Sequence, residues 1–262
     1  MSQSSNIDHW NDVAKDDVDF SSVVDPGDKS GLKIDYINRI DKKYIETEIS
    51  KLPESSKILD FGCGSGRLIQ WNIFNKHVYS GVDISQNMID AAKRKFGNNK
   101  NMSFTSYNGQ ELPFENNSFD CIVAVSVLQY VIDDQNLKGL FNEFARILKI
   151  KGKVLLIEQI ADEEKYDYFK NGVIHKKFRP VKKYFDFFSE NFNFISSKQT
   201  DGLISYGLFY KSLNIFSRLN FTFLKNIMSW FINFDDAYYY LTKKLNILKP
   251  IWLNTFIVIE KK

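Results

Sequence analysis

Short apolar runs alternate with longer amphipathic stretches between residues 57 and 160, and this alternation constrains the fold more than any other feature of the chain. Strand patterns occupy residues 57–61, 77–83, 102–107, 120–126 and 153–159. Helical patterns between them occupy residues 67–74, 86–95 and 137–148. Strands that are apolar on both faces and separated by helices form a parallel sheet with helices on both faces. The sequence therefore predicts an α/β fold.

The flanking segments predict two additions to this sheet. Residues 1–50 are expected to form an N-terminal helical cap. Residues 51–200 and 251–262 are expected to form the core domain, which closes with a last strand. The stretch 201–250 is too long for a plain loop, and we interpret it as a helical insertion that acts as a lid or as a homodimer element.

Charge, cysteine content and hydropathy narrow the class of protein. The 262 residues include 35 Lys and Arg against 32 Asp and Glu, and the net charge of +3 does not predict nucleic-acid binding. Cys63 and Cys121 lie far apart, without metal-ligand spacing or a disulfide framework. The first ten residues lack a signal-peptide pattern, and no apolar run is long enough to span a bilayer. We expect a cytoplasmic protein with no transmembrane segment.

Chemically distinctive residues follow several of the predicted strands. Right-handed crossovers bring the carboxyl ends of parallel strands to one crevice, which is where ligands bind in such sheets. The residues at these strand ends are Gly62, Gly64, Gly66, Asp83, Asn108 and Ser126. Four separate loops therefore converge on one predicted site.

The glycine loop at residues 62–66 discriminates among three kinds of ligand. A P-loop has Lys and then Ser or Thr after its last glycine, whereas Arg67 and Leu68 follow here. A dinucleotide loop has two residues between its second and third glycines, whereas this loop has one, and Asp60 would repel a pyrophosphate, so a dinucleotide stays a minor alternative. Asp83 can accept both ribose hydroxyls, and Asp60 can complement a cation. The pattern favours a cationic nucleoside, S-adenosylmethionine.

Five motifs, in this order and spacing, resemble the class I S-adenosylmethionine-dependent methyltransferases, particularly the small-molecule branch. The first reads Ile-Leu-Asp-Phe-Gly-Cys-Gly-Ser-Gly at 58–66 and the second Gly-Val-Asp-Ile-Ser at 81–85, followed by Met88. The others are residues 112–114 with 117–120, residues 127–131 and residues 143–152. The resemblance covers residues 55–160. It implies a Rossmann-like, mostly parallel sheet with an antiparallel last strand, and an enzyme that uses S-adenosylmethionine as methyl donor without a metal.

The resemblance also implies roles for the residues at the crevice. The backbone of Gly62, Cys63 and Gly64 would meet the methionine half of the donor, Asp83 would bind the ribose hydroxyls, and Ser126 would lie under the sulfonium. The remaining donor-site residues are Asp60 and Gly66 in the first motif, Ile84 and Met88 against the adenine ring, and Asn108, Gly109 and Gln110 at the adenine edge. The family often has an acid at position 108, so the amide oxygen of Asn108 would take its place.

Three residues are candidates for work on the methyl acceptor. His175 follows the fifth strand and is the candidate general base, and the alternative interpretation is a surface histidine among basic residues. Tyr130 follows the fourth strand, where the resemblance places acceptor-facing residues, and packing under the next helix is the alternative. Glu158 ends the fifth strand and is expected to hydrogen-bond the acceptor. His9, beside Trp10, is interpreted as a solvated residue near the N-terminus, and the alternative is that it belongs to an N-terminal lid that folds over the site.

A run of basic residues follows the fifth strand and raises the question of whether the methyl acceptor is anionic. Its members are Lys176, Lys177, Arg179, Lys182 and Lys183. A solvated face is the first interpretation, and attraction of an anionic, phosphate-bearing small molecule is the second. The main functional hypothesis is O-methylation of a sugar derivative or a phosphorylated metabolite, such as a surface-glycan precursor. The alternatives are C-methylation of a lipid or quinone, which the aromatic insertion would suit, and a non-catalytic nucleoside-binding scaffold.

Overall fold

A computed structural model describes residues 2–14, 32–200 and 252–262. The helices are α1 (Ser2–Val13), α2 (Leu32–Ile49), α3 (Gln86–Phe96), α4 (Asp134–Ile147) and α5 (Val181–Phe188), with short 3-10 helices at Arg67–Trp71 and Leu128–Tyr130. The strands are β1 (Lys57–Phe61), β2 (Val78–Asp83), β3 (Met102–Ser106), β4 (Phe119–Val125), β5 (Leu148–Ala161), β6 (Lys165–Tyr168), β7 (Ile174–Phe178), β8 (Phe192–Gln199) and β9 (Trp252–Lys261).

Seven of these strands form one sheet in the order β3-β2-β1-β4-β5-β9-β8. The pairs from β3 through β5 are parallel, whereas β9 is antiparallel to both of its neighbours, β5 and β8. The strand order reverses between β1 and β4, and a crevice opens at the carboxyl ends of strands at such a switch point. The predicted Rossmann-like sheet with an antiparallel last strand is confirmed.

The central strands are buried on both faces, which explains why their sequences are apolar almost throughout. Successive residues of β4 enter different clusters, because neighbouring side chains of a strand point to opposite faces. Ile122 packs in the cluster that contains Phe144 of α4, and Val123 packs in the cluster that contains Ile89 of α3. Helices on both faces therefore hold the strand ends of the crevice in place.

Helix α3 begins and ends where the sequence predicts. The Oγ of Ser85 accepts a hydrogen bond from the N–H of Met88 at 3.2 Å, which caps the helix. At the other end, the N–H of Gly97 donates to the carbonyl of Lys93 at 2.8 Å. The cap fixes the first turn of α3, and with it Met88, directly after β2.

Two local features differ from the sequence expectations. The expected helix over residues 67–74 is only the 3-10 helix Arg67–Trp71, because Asn72 turns the chain with a φ of 59°. Between β5 and α5 lies an antiparallel hairpin of β6 and β7, which the sequence analysis does not predict. Its strands have only four and five residues, which is too short for an alternating pattern to reveal them in the sequence.

The N-terminal cap is described as two helices, with α1 packed against α3 and β7, and α2 packed against β5. The predicted insertion at 201–250, with its lid and homodimer interpretations, lies outside the described residues. Within the parts that are described, no helix combines the length and the apolar character needed to cross a membrane.

Candidate active site

The glycine loop connects β1 to the 3-10 helix Arg67–Trp71 with positive φ angles of 73° at Gly62 and 94° at Gly66. A Cβ atom at Gly62 would meet Val127 Cγ2 at 2.4 Å, and one at Gly66 would meet Phe96 Cε2 at 2.7 Å. Only glycine fits at these two positions. Gly62 lets the loop approach the turn after β4, whereas Gly66 lets it pack on α3.

The N–H groups of the loop are already bonded within the protein. Those of Gly62 and Cys63 donate to the carbonyl of Val82 at 2.8 and 3.1 Å, and that of Gly64 donates to Asp83 Oδ2 at 2.9 Å. The backbone groups that these residues can offer a ligand are therefore carbonyl oxygens. The Cys63 thiol is buried, and burial raises its pKa, so it acts as an inert packing group.

Two carboxylates lie beside the loop. Asp83, at the end of β2, accepts hydrogen bonds from the N–H groups of Gly64 and Ser85, each at 2.9 Å. Asp60, in β1, is 2% exposed and accepts a hydrogen bond from the Tyr79 hydroxyl at 2.5 Å. Burial raises the pKa of both carboxyl groups, that of Asp60 to about 7. Asp83 therefore fixes the loop and the start of α3 relative to one another.

The residues expected around adenine are only partly where the sequence places them. The cavity wall next to Asp83 is formed by Ile84, Met88, Tyr107, Gly109 and Gln110. Asn108 does not belong to this wall. It is exposed, and its Oδ1 accepts the N–H of Gln110 at 3.0 Å, so the amide oxygen expected to meet adenine closes a local turn. Tyr107 is the residue at this end of the cavity that the sequence analysis missed.

The turn at residues 126–132, here called the β4 turn, is held at its N–H groups by Glu158. This carboxylate is fully buried and accepts hydrogen bonds from Val127 at 2.9 Å, Leu128 at 2.8 Å and Gln129 at 3.3 Å. Burial raises the pKa of Glu158 to about 7, against the effect of these three bonds. Glu158 does not line the cavity, so the expectation that it hydrogen-bonds the acceptor does not fit its position.

Arg179 holds the carbonyl groups at the other end of the β4 turn. It is fully buried, and its Nη2 donates to Val131 at 2.7 Å and to Ile132 at 2.9 Å. Its Nε and the Nζ of Lys177 both donate to Asp134 Oδ1, at 2.9 and 2.8 Å. Partial burial works to raise the pKa of Asp134, but these hydrogen bonds lower it to about 2. For Lys177 and Arg179, the expectation of a solvated face is wrong.

Helix α1 is fastened across the crevice at two places. Asn6 Nδ2 donates to the carbonyl of Tyr130 at 3.2 Å and to that of His175 at 3.3 Å. One turn and a half further along α1, Asn11 Oδ1 accepts from the Ser85 hydroxyl at 2.7 Å. The helix therefore bridges the start of α3 on one side and the β4 turn and β7 on the other.

His175 contacts helix α1 through Asn6 and does not line the cavity. Its Nδ1 is 3.0 Å from Asn6 Oδ1, and because an amide oxygen only accepts, Nδ1 carries the proton. Burial, together with the charge of Lys176, lowers the pKa of His175 to about 4. Its ring packs against that of His9 at 4.9 Å between centroids. His9 is thus partly buried, and the interpretation of it as a solvated residue is wrong.

One cavity of about 520 Å³ connects these elements. Its loop compartment is lined by Asp60, Gly62, Cys63, Gly64, Asp83, Ser126 and the wall with Ile84 and Met88. Its aromatic compartment is lined by Trp10, Tyr130, Val131, Ile132, Lys176 and Phe178. The rings of Trp10 and Tyr130 meet edge to face at 5.2 Å, and Lys176 Nζ lies 5.6 Å from the centre of the Tyr130 ring.

Residues 59–156, which contain the glycine loop, Asp83 and the β4 turn, match the model of a family described as a methyltransferase domain. The chain contains a class I S-adenosylmethionine-dependent methyltransferase domain. Within the methyltransferase domain lie the strands β2 to β4 and most of β1 and β5, so the match covers the loop compartment and the β4 turn but neither α1 nor the β6–β7 hairpin.

Three curated relatives illustrate the similarity in sequence. A demethylmenaquinone methyltransferase of Tropheryma whipplei is 26% identical over 139 residues, which are 53% of this chain and 56% of that one. A ubiquinone/menaquinone biosynthesis C-methyltransferase of Campylobacter jejuni is 32% identical over 44% of this chain and 48% of its own. A demethylmenaquinone methyltransferase of Staphylococcus aureus is 35% identical over 40% and 44%. The chain spans about half the length of the curated relatives it matches.

Two solved structures illustrate the similarity in fold. An S-adenosylmethionine-dependent methyltransferase of Leishmania major is 15% identical, with a TM-score of 0.63 over 98% of this chain and 82% of that chain. Geranyl diphosphate C-methyltransferase of Streptomyces coelicolor is 16% identical, with a TM-score of 0.61 over 100% and 98%. At such identity these likenesses concern the fold alone.

The loop compartment of the methyltransferase domain fits S-adenosylmethionine. The Asp83 carboxylate at the edge of the wall suits ribose hydroxyls, and Ile84 and Met88 offer an apolar surface for adenine. Because the loop N–H groups are bonded within the protein, the loop offers carbonyl oxygens, which suit a positively charged group. In the described ranges, no group of three or more His, Cys, Asp or Glu side chains is arranged to hold a metal ion.

Several residues of the site were missed at the sequence level. Arg67 lines the cavity directly after the glycine loop, and its position next to that motif is a signal that could have identified it. Asn6 and Trp10 lie 52 and 48 residues before Ile58, the start of the first motif, in a segment with no pattern that distinguishes them. Their place in the wall depends on how α1 docks.

Proposed function

We propose that this chain is an S-adenosylmethionine-dependent methyltransferase that methylates a carbon atom of a small molecule with a planar, apolar ring. The observation that carries the proposal is the continuity of the two compartments in one cavity. A donor held in the loop compartment would present its methyl group toward the rings of Trp10 and Tyr130. Flat apolar molecules pack well against such rings.

The residues of the chain bind and orient both molecules, because methyl transfer depends chiefly on alignment. Bound S-adenosylmethionine supplies an activated methyl group on its sulfonium. Asp83 and the wall with Ile84 and Met88 would fix the nucleoside, while the β4 turn would set the position of Tyr130 against the acceptor. Asn6 and Trp10 of helix α1 line the cavity, where they would help to exclude water from a bound acceptor.

The names of three curated relatives support carbon rather than oxygen as the accepting atom. Two are called demethylmenaquinone methyltransferases, and the third is called a ubiquinone/menaquinone biosynthesis C-methyltransferase. The proposal therefore replaces the sequence-level preference for an O-methylated sugar with its alternative.

Lys176 favours a second candidate, O-methylation of an anionic, phosphate-bearing small molecule. Its ammonium group is the cation of the aromatic compartment, 5.6 Å from the centre of the Tyr130 ring. A phosphate group there would be drawn to this charge. Tyr130 would then remain the residue that contacts the acceptor, and His175 would act as a positioning residue through Asn6.

The test measures transfer of a labelled methyl group from S-adenosylmethionine to two probes, 1,4-dihydroxynaphthalene and glucose 6-phosphate. We expect transfer to the naphthalene probe, with the methyl on a ring carbon when the product is examined by NMR. Tyr130→Ala should lower the rate by about 10-fold or more because the ring surface is lost. Tyr168→Ala, a change of an exposed tyrosine on the hairpin, is the matched control and should leave the rate unchanged.

Each alternative gives a different result. Transfer only to glucose 6-phosphate, with loss of activity in Lys176→Met, would support the anionic O-acceptor. Methylation of a naphthol oxygen would agree with a planar-ring acceptor but would overturn the assignment of carbon as the accepting atom. A chain that binds S-adenosylmethionine but transfers no methyl group to either probe would support the scaffold interpretation.

A further inference from the structure

The β4 turn is held by two fully buried side chains of opposite charge. Glu158 of β5 accepts three N–H groups of the turn, and Arg179 donates to two of its carbonyl groups. Burying a carboxylate and a guanidinium costs free energy, even when both are hydrogen-bonded. A plain connection between β4 and α4 would not require such a pair. The pair therefore points to a role in the cavity that this turn lines.

The shape of the β4 turn determines the shape of the aromatic compartment. Tyr130, Val131 and Ile132 belong to its wall, and the Tyr130 ring meets the Trp10 ring at 5.2 Å. The turn begins at Ser126 with a φ of 56°, in the left-handed region that residues with a side chain rarely adopt. Such a turn depends on outside contacts to keep its shape. Loosening it would move the Tyr130 ring relative to Trp10.

The two carboxylate oxygens of Glu158 have different partners in the turn. Oε1 accepts the N–H groups of Val127 at 2.9 Å and Leu128 at 2.8 Å, whereas Oε2 accepts that of Gln129 at 3.3 Å. A protonated carboxyl group has a donor in place of one acceptor. Oε2 is the less costly place for the proton, because it accepts one bond, and the longest of the three. Protonation would therefore release the turn at Gln129, directly before Tyr130.

The groups that face Glu158 come from several elements. Arg179, directly after β7, favours the ionised carboxylate, and Asp134 of α4 lies beyond it, bonded to its Nε at 2.9 Å. Tyr130 on the turn and Tyr184 of α5 are uncharged at neutral pH, because burial raises the pKa of both phenols. Burial outweighs Arg179 and the three N–H bonds and raises the pKa of Glu158 to about 7. Below this pH the carboxyl group is protonated, and above it the carboxylate holds all three N–H groups.

We propose that Glu158 and Arg179 are positioning residues for the methyl acceptor, which hold the β4 turn in place, and that the acceptor binds more tightly when Glu158 is ionised. This inference rests on the proposed function, since it concerns the second substrate of that reaction. Asp83 and the wall with Ile84 would hold the donor, and neither Glu158 nor Arg179 contributes to that wall. Donor binding should therefore be largely independent of the pair.

The experiment measures binding of 1,4-dihydroxynaphthalene by calorimetry under nitrogen, with S-adenosylhomocysteine bound. Wild type should bind this probe about 3- to 10-fold more tightly at about pH 8 than at about pH 5.5, since one N–H bond of the turn is regained. Glu158→Gln resembles the protonated carboxyl group at every pH and should show the weaker affinity throughout. Its affinity for S-adenosylhomocysteine should stay within about twofold of that of wild type at each pH. Glu163→Gln, the same change at an exposed position outside the cavity wall, is the control and should keep the wild-type profile.

Arg179→Lys examines the other end of the turn. It keeps the charge but lacks the fork that bonds Asp134 and two carbonyl groups together. We expect weaker binding of the probe at every pH, with unchanged binding of S-adenosylhomocysteine. Weakening of both ligands alike, in this variant or in Glu158→Gln, would mean that the pair supports the whole domain, and the positioning role would be wrong.

The remaining outcomes separate this inference from the proposed function. A probe affinity in wild type that does not change with pH, or a Glu158→Gln profile equal to that of wild type, would overturn the inference alone. If wild type binds S-adenosylhomocysteine but not the probe at any pH, the proposed acceptor fails and the inference fails with it. Should Glu158→Gln not fold, NMR of wild type carries the test. The amide resonance of Gln129 should shift with the same midpoint as the probe affinity, and different midpoints would contradict the proposal.

Discussion

The two compartments of the cavity are built in different ways. The loop compartment comes from consecutive strand ends of one parallel sheet, and its residues lie within the segment 60–126. The aromatic compartment combines α1, the β4 turn and the β6–β7 hairpin, which are up to 169 residues apart where Asn6 meets His175. The first compartment follows from the sheet, whereas the second depends on long-range docking. Donor binding and acceptor binding should therefore respond to different substitutions.

The largest effect is expected at Asp83, because this one side chain binds two backbone N–H groups and is the predicted partner of the ribose. Asp83→Ala removes the acceptor of the Gly64 and Ser85 N–H groups and the predicted partner of the ribose. Calorimetry should show S-adenosylmethionine affinity reduced by about 100-fold. Asp90→Ala, in helix α3 and outside the cavity wall, is the control. Unchanged binding in Asp83→Ala would break the assignment of this compartment to the donor.

A pH measurement probes the frame of the aromatic compartment. The folded-state pKa of Glu158 is about 7, above the ordinary value of 4.5, because of burial. The folded state therefore holds this proton more tightly, so the free energy of unfolding should fall as pH rises from 4.5 to 7. Urea unfolding of Glu158→Gln, which has no such proton, should show a fall smaller by about 2 kcal/mol.

Asp60, in the loop compartment, also contributes to the pH dependence of the free energy of unfolding, because burial raises its pKa to about 7. Glu158→Gln should therefore retain part of the pH dependence, and Asp60→Asn should remove a separate part. If Glu158→Gln shows the same dependence as wild type, Glu158 is ionised throughout this range, and its three N–H bonds outweigh the effect of burial.

The smallest effect is expected at the contact that closes the aromatic compartment. Asn6→Ala removes the hydrogen bonds to the carbonyls of Tyr130 and His175, so α1 should open more readily. Hydrogen exchange of α1 amides should quicken by about 5- to 10-fold, which corresponds to about 1 kcal/mol. Asp8→Ala, an exposed position on the same helix, serves as the control. Equal exchange in both variants would mean that Asn6 does not fasten the helix.

The difference between the compartments also explains how far the sequence could be used. The strand ends, Asp83 and the need for glycine at 62 and 66 follow from local patterns, because each strand is apolar and each turn is short. The local turn at Asn108 and the buried position of Glu158 could not be predicted. Both side chains accept backbone N–H groups that have no partner in a helix or strand, and the sequence does not show which groups these are. No local signal marks Asn6 or Trp10, because their role arises from docking across the sheet.

The anchoring of α1 has a practical consequence for anyone screening substrates. Asn6 and Trp10 lie in the first ten residues, and both line the cavity. A variant that lacks α1 would keep the loop compartment but lose Asn6 and Trp10 from the wall of the proposed acceptor pocket. Such a variant should still bind the donor while giving misleading negatives in an acceptor screen. Screens of acceptors should therefore use a chain in which α1 is intact.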